Sequence, residues 1–119
     1  MISYRPDGQF ITLVTDGNVT DGERRAVCDA ILSDPIVVDG AFLMIDMRQC
    51  QVQLTQPELQ DRVRSVLESL SPKIGLACAV IVKDKSLRIG LGLQLIAGKM
   101  NFRVGVFRDE KGARSWLAP

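Results

Sequence analysis

Residues 55–82, TQPELQDRVRSVLESLSPKIGLACAVIV, set a complete helix beside a complete strand. Thr55 and Glu58 form a Thr-x-x-Glu capping box, in which the hydroxyl and the carboxylate each satisfy a backbone N–H of the first turn. Leu59, Val63, Val66, Leu67 and Leu70 then recur at 3.6-residue spacing as a single apolar stripe. Glu58 and Arg62 form an i,i+4 ion pair on the wet side, and Ser71-Pro72 ends the helix. Leu76 to Val82 follows as the longest clean apolar run, far short of the ~18 residues of a membrane span. It is apolar on both faces, as a strand inside a parallel sheet must be.

The same alternation extends outward. Residues 42–47, Phe-Leu-Met-Ile-Asp-Met, make a short strand. Before them, Thr20 and Glu23 form a second capping box, Val27, Ala30 and Ile31 recur at helical spacing, and Asp34-Pro35 stops the helix. Ile2 to Val14 forms a hairpin, with Pro6 setting a turn-compatible φ and Gly8 accepting a positive one. Downstream, Leu87, Ile89, Leu91, Leu93 and Leu95 alternate as in a strand, while Ile89, Leu93, Ile96 and Met100 also fit a helix. Ser86 is a good N-cap and Ser86–Met100 is long for a strand, so a helix is predicted there. Gly90, Gly92 and Gly98 weaken it by ~1 kcal/mol each relative to Ala but allow close packing. Gly90-Leu91-Gly92 lacks the third glycine of a nucleotide fingerprint. Residues 102–107 form a last strand. Asp109 caps a final helix whose Ala113, Trp116 and Leu117 share one face, Trp116 anchoring the C-terminus.

The order is a β-hairpin followed by α, β, α, β, α, β, α. It predicts a single α/β domain over residues 1–119: a mostly parallel sheet of about five strands with about four helices. Crossovers between sequential neighbours lay the main helices on one face. A strand as apolar as Leu76–Val82 needs cover on the other face too, which implies the remaining helices, a ligand cavity or a second subunit, and hence a homodimer as one expectation.

Composition narrows the chemistry. With 119 residues the chain buries roughly 65% of the surface its unfolded form exposes, enough for a core without staples. There is no histidine, which removes Ser-His-Asp and Cys-His nucleophiles, histidine bases and most catalytic zinc sites. Cys28, Cys50 and Cys78 form no CxxC pair, so neither a zinc knuckle nor a thioredoxin-type redox pair is expected, and Cys78 reads as a small buried hydrophobe. No paired carboxylates stand out as a general acid and base. These features predict a non-enzymatic protein with no metal and no cofactor. An odd cysteine count, and an N-terminus that alternates and carries Arg5 and Asp7, point to a reducing cytoplasm. A net charge of +1 gives no global pull toward nucleic acid, and no membrane integration is expected. The charge is uneven, however. Residues 1–72 hold 6 basic and 11 acidic side chains, and residues 73–119 hold 9 and 3. Such asymmetry allows a head-to-tail contact or an anion site.

Several strings resemble the STAS-like group, the SpoIIAA-like proteins related to anti-sigma-factor antagonists and sometimes grouped with CRAL-TRIO-like domains. They are Phe42-Leu43-Met44-Ile45-Asp46-Met47-Arg48, Ala79-Val80-Ile81-Val82 leading into Leu87-Arg88-Ile89-Gly90-Leu91, and Phe107-Arg108-Asp109-Glu110-Lys111-Gly112-Ala113-Arg114-Ser115-Trp116-Leu117. Ile2-Ser3-Tyr4-Arg5 and Gly17-Asn18-Val19-Thr20 also look like small bacterial proteins of this type. The resemblance implies a four-turn β-α superhelix preceded by an extra strand, and a regulatory role through protein binding in bacterial signalling. Relatives of the antagonist branch are switched by phosphorylation within an Asp-Ser-Ser-Gly motif at a helix start. Here Thr55 is the sole hydroxyl near that place and no serine flanks it, which leaves Thr55 as the candidate switch residue.

Open α/β sheets bind ligands beyond the carboxyl ends of their strands. Those ends carry Arg48, then Lys83, Lys85 and Arg88, then Arg108, a basic rim onto which helix N-termini would open as an anion site. Asp46, Asp84 and Asp109 lie among them and can neutralise them. Two functions are therefore expected: a regulatory domain that binds a protein partner, or a carrier or sensor of a small lipophilic or anionic ligand.

Overall fold

A computed structural model describes residues 1–16, 19–49, 56–83 and 102–119. Its elements are β1 (Ile2–Asp7), β2 (Phe10–Asp16), α1 (Asp21–Ser33), β3 (Ala41–Gln49), α2 (Gln56–Leu70), β4 (Ile74–Ile81), β5 (Arg103–Phe107) and α3 (Glu110–Leu117). The strands form one sheet in the order β1-β2-β3-β4-β5, with β1 antiparallel to β2 and the other neighbours parallel. The fold is thus the α/β arrangement expected, with three helices among the described residues. The fourth, predicted at Ser86–Met100, lies outside them.

Asp7 pairs with Phe10, leaving Gly8-Gln9 as a two-residue loop, and Gly8 has a φ of 60°. A positive φ at the first loop position belongs to the primed turns, whose twist matches the strands they join, and glycine adopts it without steric cost. Pro6 pairs with Ile11 inside β1 and not in the turn; an edge strand tolerates its missing N–H. The box at the start of α1 is complete: the Thr20 hydroxyl accepts from the Glu23 N–H at 3.1 Å, and the Glu23 carboxylate accepts from the Thr20 N–H at 3.3 Å. At the other end, the Lys73 ammonium donates to the Asp34 carbonyl at 2.8 Å and satisfies an oxygen the helix leaves unpaired. Tyr4 donates to the Asp34 carboxylate at 2.8 Å, fastening β1 to the same corner.

Alternation along the strands makes two cores. Ile11, Leu13, Leu43, Ile45, Cys78 and Val80 face α1 and α2, where Leu59, Val63, Val66, Leu67 and Leu70 of the α2 stripe are all buried. On α1 the buried positions are Cys28 and Ile31, with Val27 and Leu32 at their sides; Ala30 is exposed, so the buried face lies one position round from the predicted one. The opposite sheet face is covered by α3: Ala113 and Leu117 pack on Met44, Ala79 and Ile81, and Trp116 stacks at a tilt on Phe107 with centroids 5.4 Å apart. The second face therefore has its cover from within the chain. Also on that face, Thr12 is buried and its hydroxyl has no partner among the described residues.

β4 begins at Ile74, two residues before the predicted start, and its register against β3 slips. Ala41 pairs with Ile74 but Leu43 pairs with Cys78, so β4 bulges between them. Gly75 lies within the bulge, where a Cβ would stand 3.2 Å from the Gly40 carbonyl oxygen. Leu76, expected inside, is 66% exposed.

Candidate functional site

The carboxyl ends of β2 and β3 present different chemistry on the two faces of the sheet. On the α1/α2 side lies a cleft of about 370 Å³, its open mouth included, lined by residues of both helices and of the strands beneath them. Its floor is apolar: Leu13, Ile45 and Met47 from the strands, and Val63 and Val66 from α2. Val19, Thr15 and Ile2 line it as well. Two arginines, Arg24 of α1 and Arg62 of α2, stand at its walls. Arg24 is mostly buried and pairs with the exposed Asp21 at 2.8 Å. Arg62 makes no ion pair among the described residues.

The α3 side carries a closed ionic network. Arg48 donates from Nε and a terminal nitrogen to the two Asp46 oxygens at 3.0 and 2.8 Å, and its backbone N–H donates to Asp46 at 3.0 Å. Arg5 reaches Glu110 at 3.3 Å, and Arg114 bridges Asp7 at 2.8 Å and Glu110 at 3.5 Å. Arg114 also lies 4.6 Å over the Phe10 ring. Burial works against the Asp46 charge, but the bonds from Arg48 and the charges of Arg48 and Arg5 outweigh it and hold this carboxyl below its usual value of 3.8.

A depressed carboxylate stabilises the fold above its unfolded pKa and loses that contribution as pH falls through the folded value. Asp46→Asn is therefore expected to lower stability at neutral pH by about 1–2 kcal/mol, the scale of hydrogen bonds to a charged group. The gap between variant and parent should narrow as pH drops below about 4, as read from urea midpoints across a pH series. A gap that stays constant down to pH 2 would mean that Asp46 gains nothing from its ionised form.

Of the predicted rim residues, Arg48, Lys83 and Arg108 are described. Arg48 is spent on Asp46. Lys83 and Arg108 are exposed, directly after β4 and β5. Lys85, Arg88 and Thr55 lie outside the described residues, as does Cys50. Cys28 and Cys78 are buried free thiols; burial pushes both upward in pKa, Cys78 to about 12, so neither is an activated nucleophile. Among the described residues no group of three or more Cys, Asp or Glu could hold a metal ion, and no helix is long and apolar enough to cross a membrane.

Arg24 and Arg62 were not among the predicted site residues. The signal was nevertheless present: Arg62 is one turn from Val66 and adjacent to Val63, and Arg24 is one turn from Cys28, so both border their helix's buried stripe. Compared with family models, curated proteins and solved structures, the chain gives no match.

Proposed function

We propose that this chain is a non-enzymatic regulatory domain that binds a protein partner, of the STAS-like, anti-sigma-factor-antagonist-like kind implied by its sequence strings. The observation that carries the reading is Leu76. It lies on β4, a strand paired on both sides, yet it is 66% exposed. Ile36 and Val38 are exposed on the α1–β3 loop, which abuts the same corner through the Gly40 N–H to Lys73 carbonyl bond of 2.7 Å. A large apolar group held out by a bulge, with two more on the neighbouring loop, gains little for the isolated fold. Covered by a partner, each would contribute about 1.5–3 kcal/mol. The partner would present an apolar face to them.

Site-specific photo-crosslinking in the native cell tests this, with the photoreactive residue at position 76 and, as control, at the exposed position 111. A discrete adduct from position 76 that is absent from position 111 is expected. An adduct of twice the chain's mass would name a second copy as the partner. No discrete adduct, together with monomeric sedimentation at high concentration, would overturn the reading.

A second reading, a small-ligand carrier or sensor, is favoured by the cleft between α1 and α2. There the sheet ends, an apolar floor and charged walls meet at the edge where open α/β sheets hold ligands.

A further inference from the structure

The cleft departs from the basic rim that the sequence suggests. The rim's Arg48 is closed by Asp46, whereas the cleft lies on the opposite face and brings an apolar floor together with two arginines. Its floor of Leu13, Ile45, Met47, Val63 and Val66 offers hydrocarbon contact and no hydrogen-bonding side chain. Its walls carry two guanidinium groups, and the acidic groups nearby answer only part of that charge. Asp21 is engaged by Arg24. Asp16, next to Thr15, is engaged by the Met1 ammonium. Arg62 makes no ion pair among the described residues, although Glu58 lies one turn before it on α2. A guanidinium beside apolar surface that no carboxylate grips is a donor fork suited to a planar oxyanion arriving from solvent.

Resting on the ligand-binding reading of this cleft, we propose that it takes a small amphipathic monoanion: a carboxylate held by Arg62, with a short aliphatic chain lying on the Ile45–Val63–Val66 floor. Arg24, already paired, lends positive potential at the other wall. A neutral alcohol of equal length leaves the guanidinium without its anion, and an alkylammonium places like charge beside it. The order of affinity should therefore be carboxylate, then alcohol, then ammonium.

The test is methyl NMR titration of the full chain with hexanoate, hexanol and hexylammonium, each alone, followed at Leu13, Ile45, Val63 and Val66. Hexanoate is expected to give saturable shifts at these methyls and to bind at least tenfold more tightly than hexanol, with hexylammonium weakest. Arg62→Gln should weaken hexanoate about tenfold and leave hexanol unchanged. Arg25→Gln, an exposed α1 position outside the cleft, should change neither. Equal binding of hexanoate and hexanol, or an Arg62→Gln variant that binds hexanoate like the parent, would overturn the anion assignment while keeping the cleft as a ligand site. No saturable shift with any of the three would overturn both.

Discussion

Leu67→Ala is expected to remove about 3 kcal/mol of stability, the middle of the range for emptying a fully enclosed leucine site. Leu67 is completely buried in the core between α2 and the sheet, and α2 cannot slide to refill the space without carrying Leu70 and Val66 out of theirs. A domain of this size has a net stability of only ~5–15 kcal/mol, so the loss is a large fraction of the whole. It should appear as a lower urea midpoint with an unchanged slope. Leu76→Ala makes the same chemical change on an exposed side chain and should move the midpoint by less than ~0.5 kcal/mol. If the two variants fell equally, Leu76 would have to be packed against the body of the protein, and the partner surface would lose its basis.

The second large effect is expected at Gly105→Ala. A Cβ at Gly105 would stand 2.7 Å from Phe107 Cε2 and 3.3 Å from the Trp116 ring, closer than packed carbon atoms permit. Phe107 cannot turn aside freely, because Trp116 stacks on it and Arg103 lies 5.2 Å over that indole. The added methyl must therefore push α3 off β5, with an expected cost of about 1–3 kcal/mol. Trp116 is the chain's single tryptophan, so its fluorescence reports the displacement directly: a shifted emission maximum in the native baseline, as well as a lower midpoint. Unchanged emission and unchanged stability would mean that the ring pair yields without resistance. Glycine is the residue that lets two aromatic side chains cross a β-strand at this point.

Features written in local physics were legible in the sequence. The Thr20–Glu23 capping box, the α2 stripe and the Gly8 turn each depend on residues a few positions apart, and each stands where its spacing puts it. The succession of these elements then sufficed for a mostly parallel sheet with a leading hairpin. What escaped was set by distant neighbours. The outward turn of Leu76 depends on the β3 register and on the approach of Gly75 to Gly40, and nothing in an apolar run records that. Arg48 was named as a rim cation that Asp46 can neutralise; the structure adds the bidentate geometry by which Asp46 grips it. Arg62 was expected on the wet side in a pair with Glu58, whereas it lines the cleft beside Val63 and Val66.

The ion pairs that fasten α3 have a consequence for the chain's synthesis. Arg5 to Glu110 joins residues 105 positions apart, and Arg114 to Asp7 joins residues 107 apart. Contacts of such range close last, since loop-closure entropy must be met before they return anything. During translation at ~5–20 residues per second, the sheet's second face, with Phe10, Phe42 and Met44 on it, waits without its cover until α3 has left the ribosome. For that interval of roughly 4–15 seconds the nascent chain offers a greasy surface that the finished molecule hides, and a chaperone that recognises such surfaces has its opportunity then.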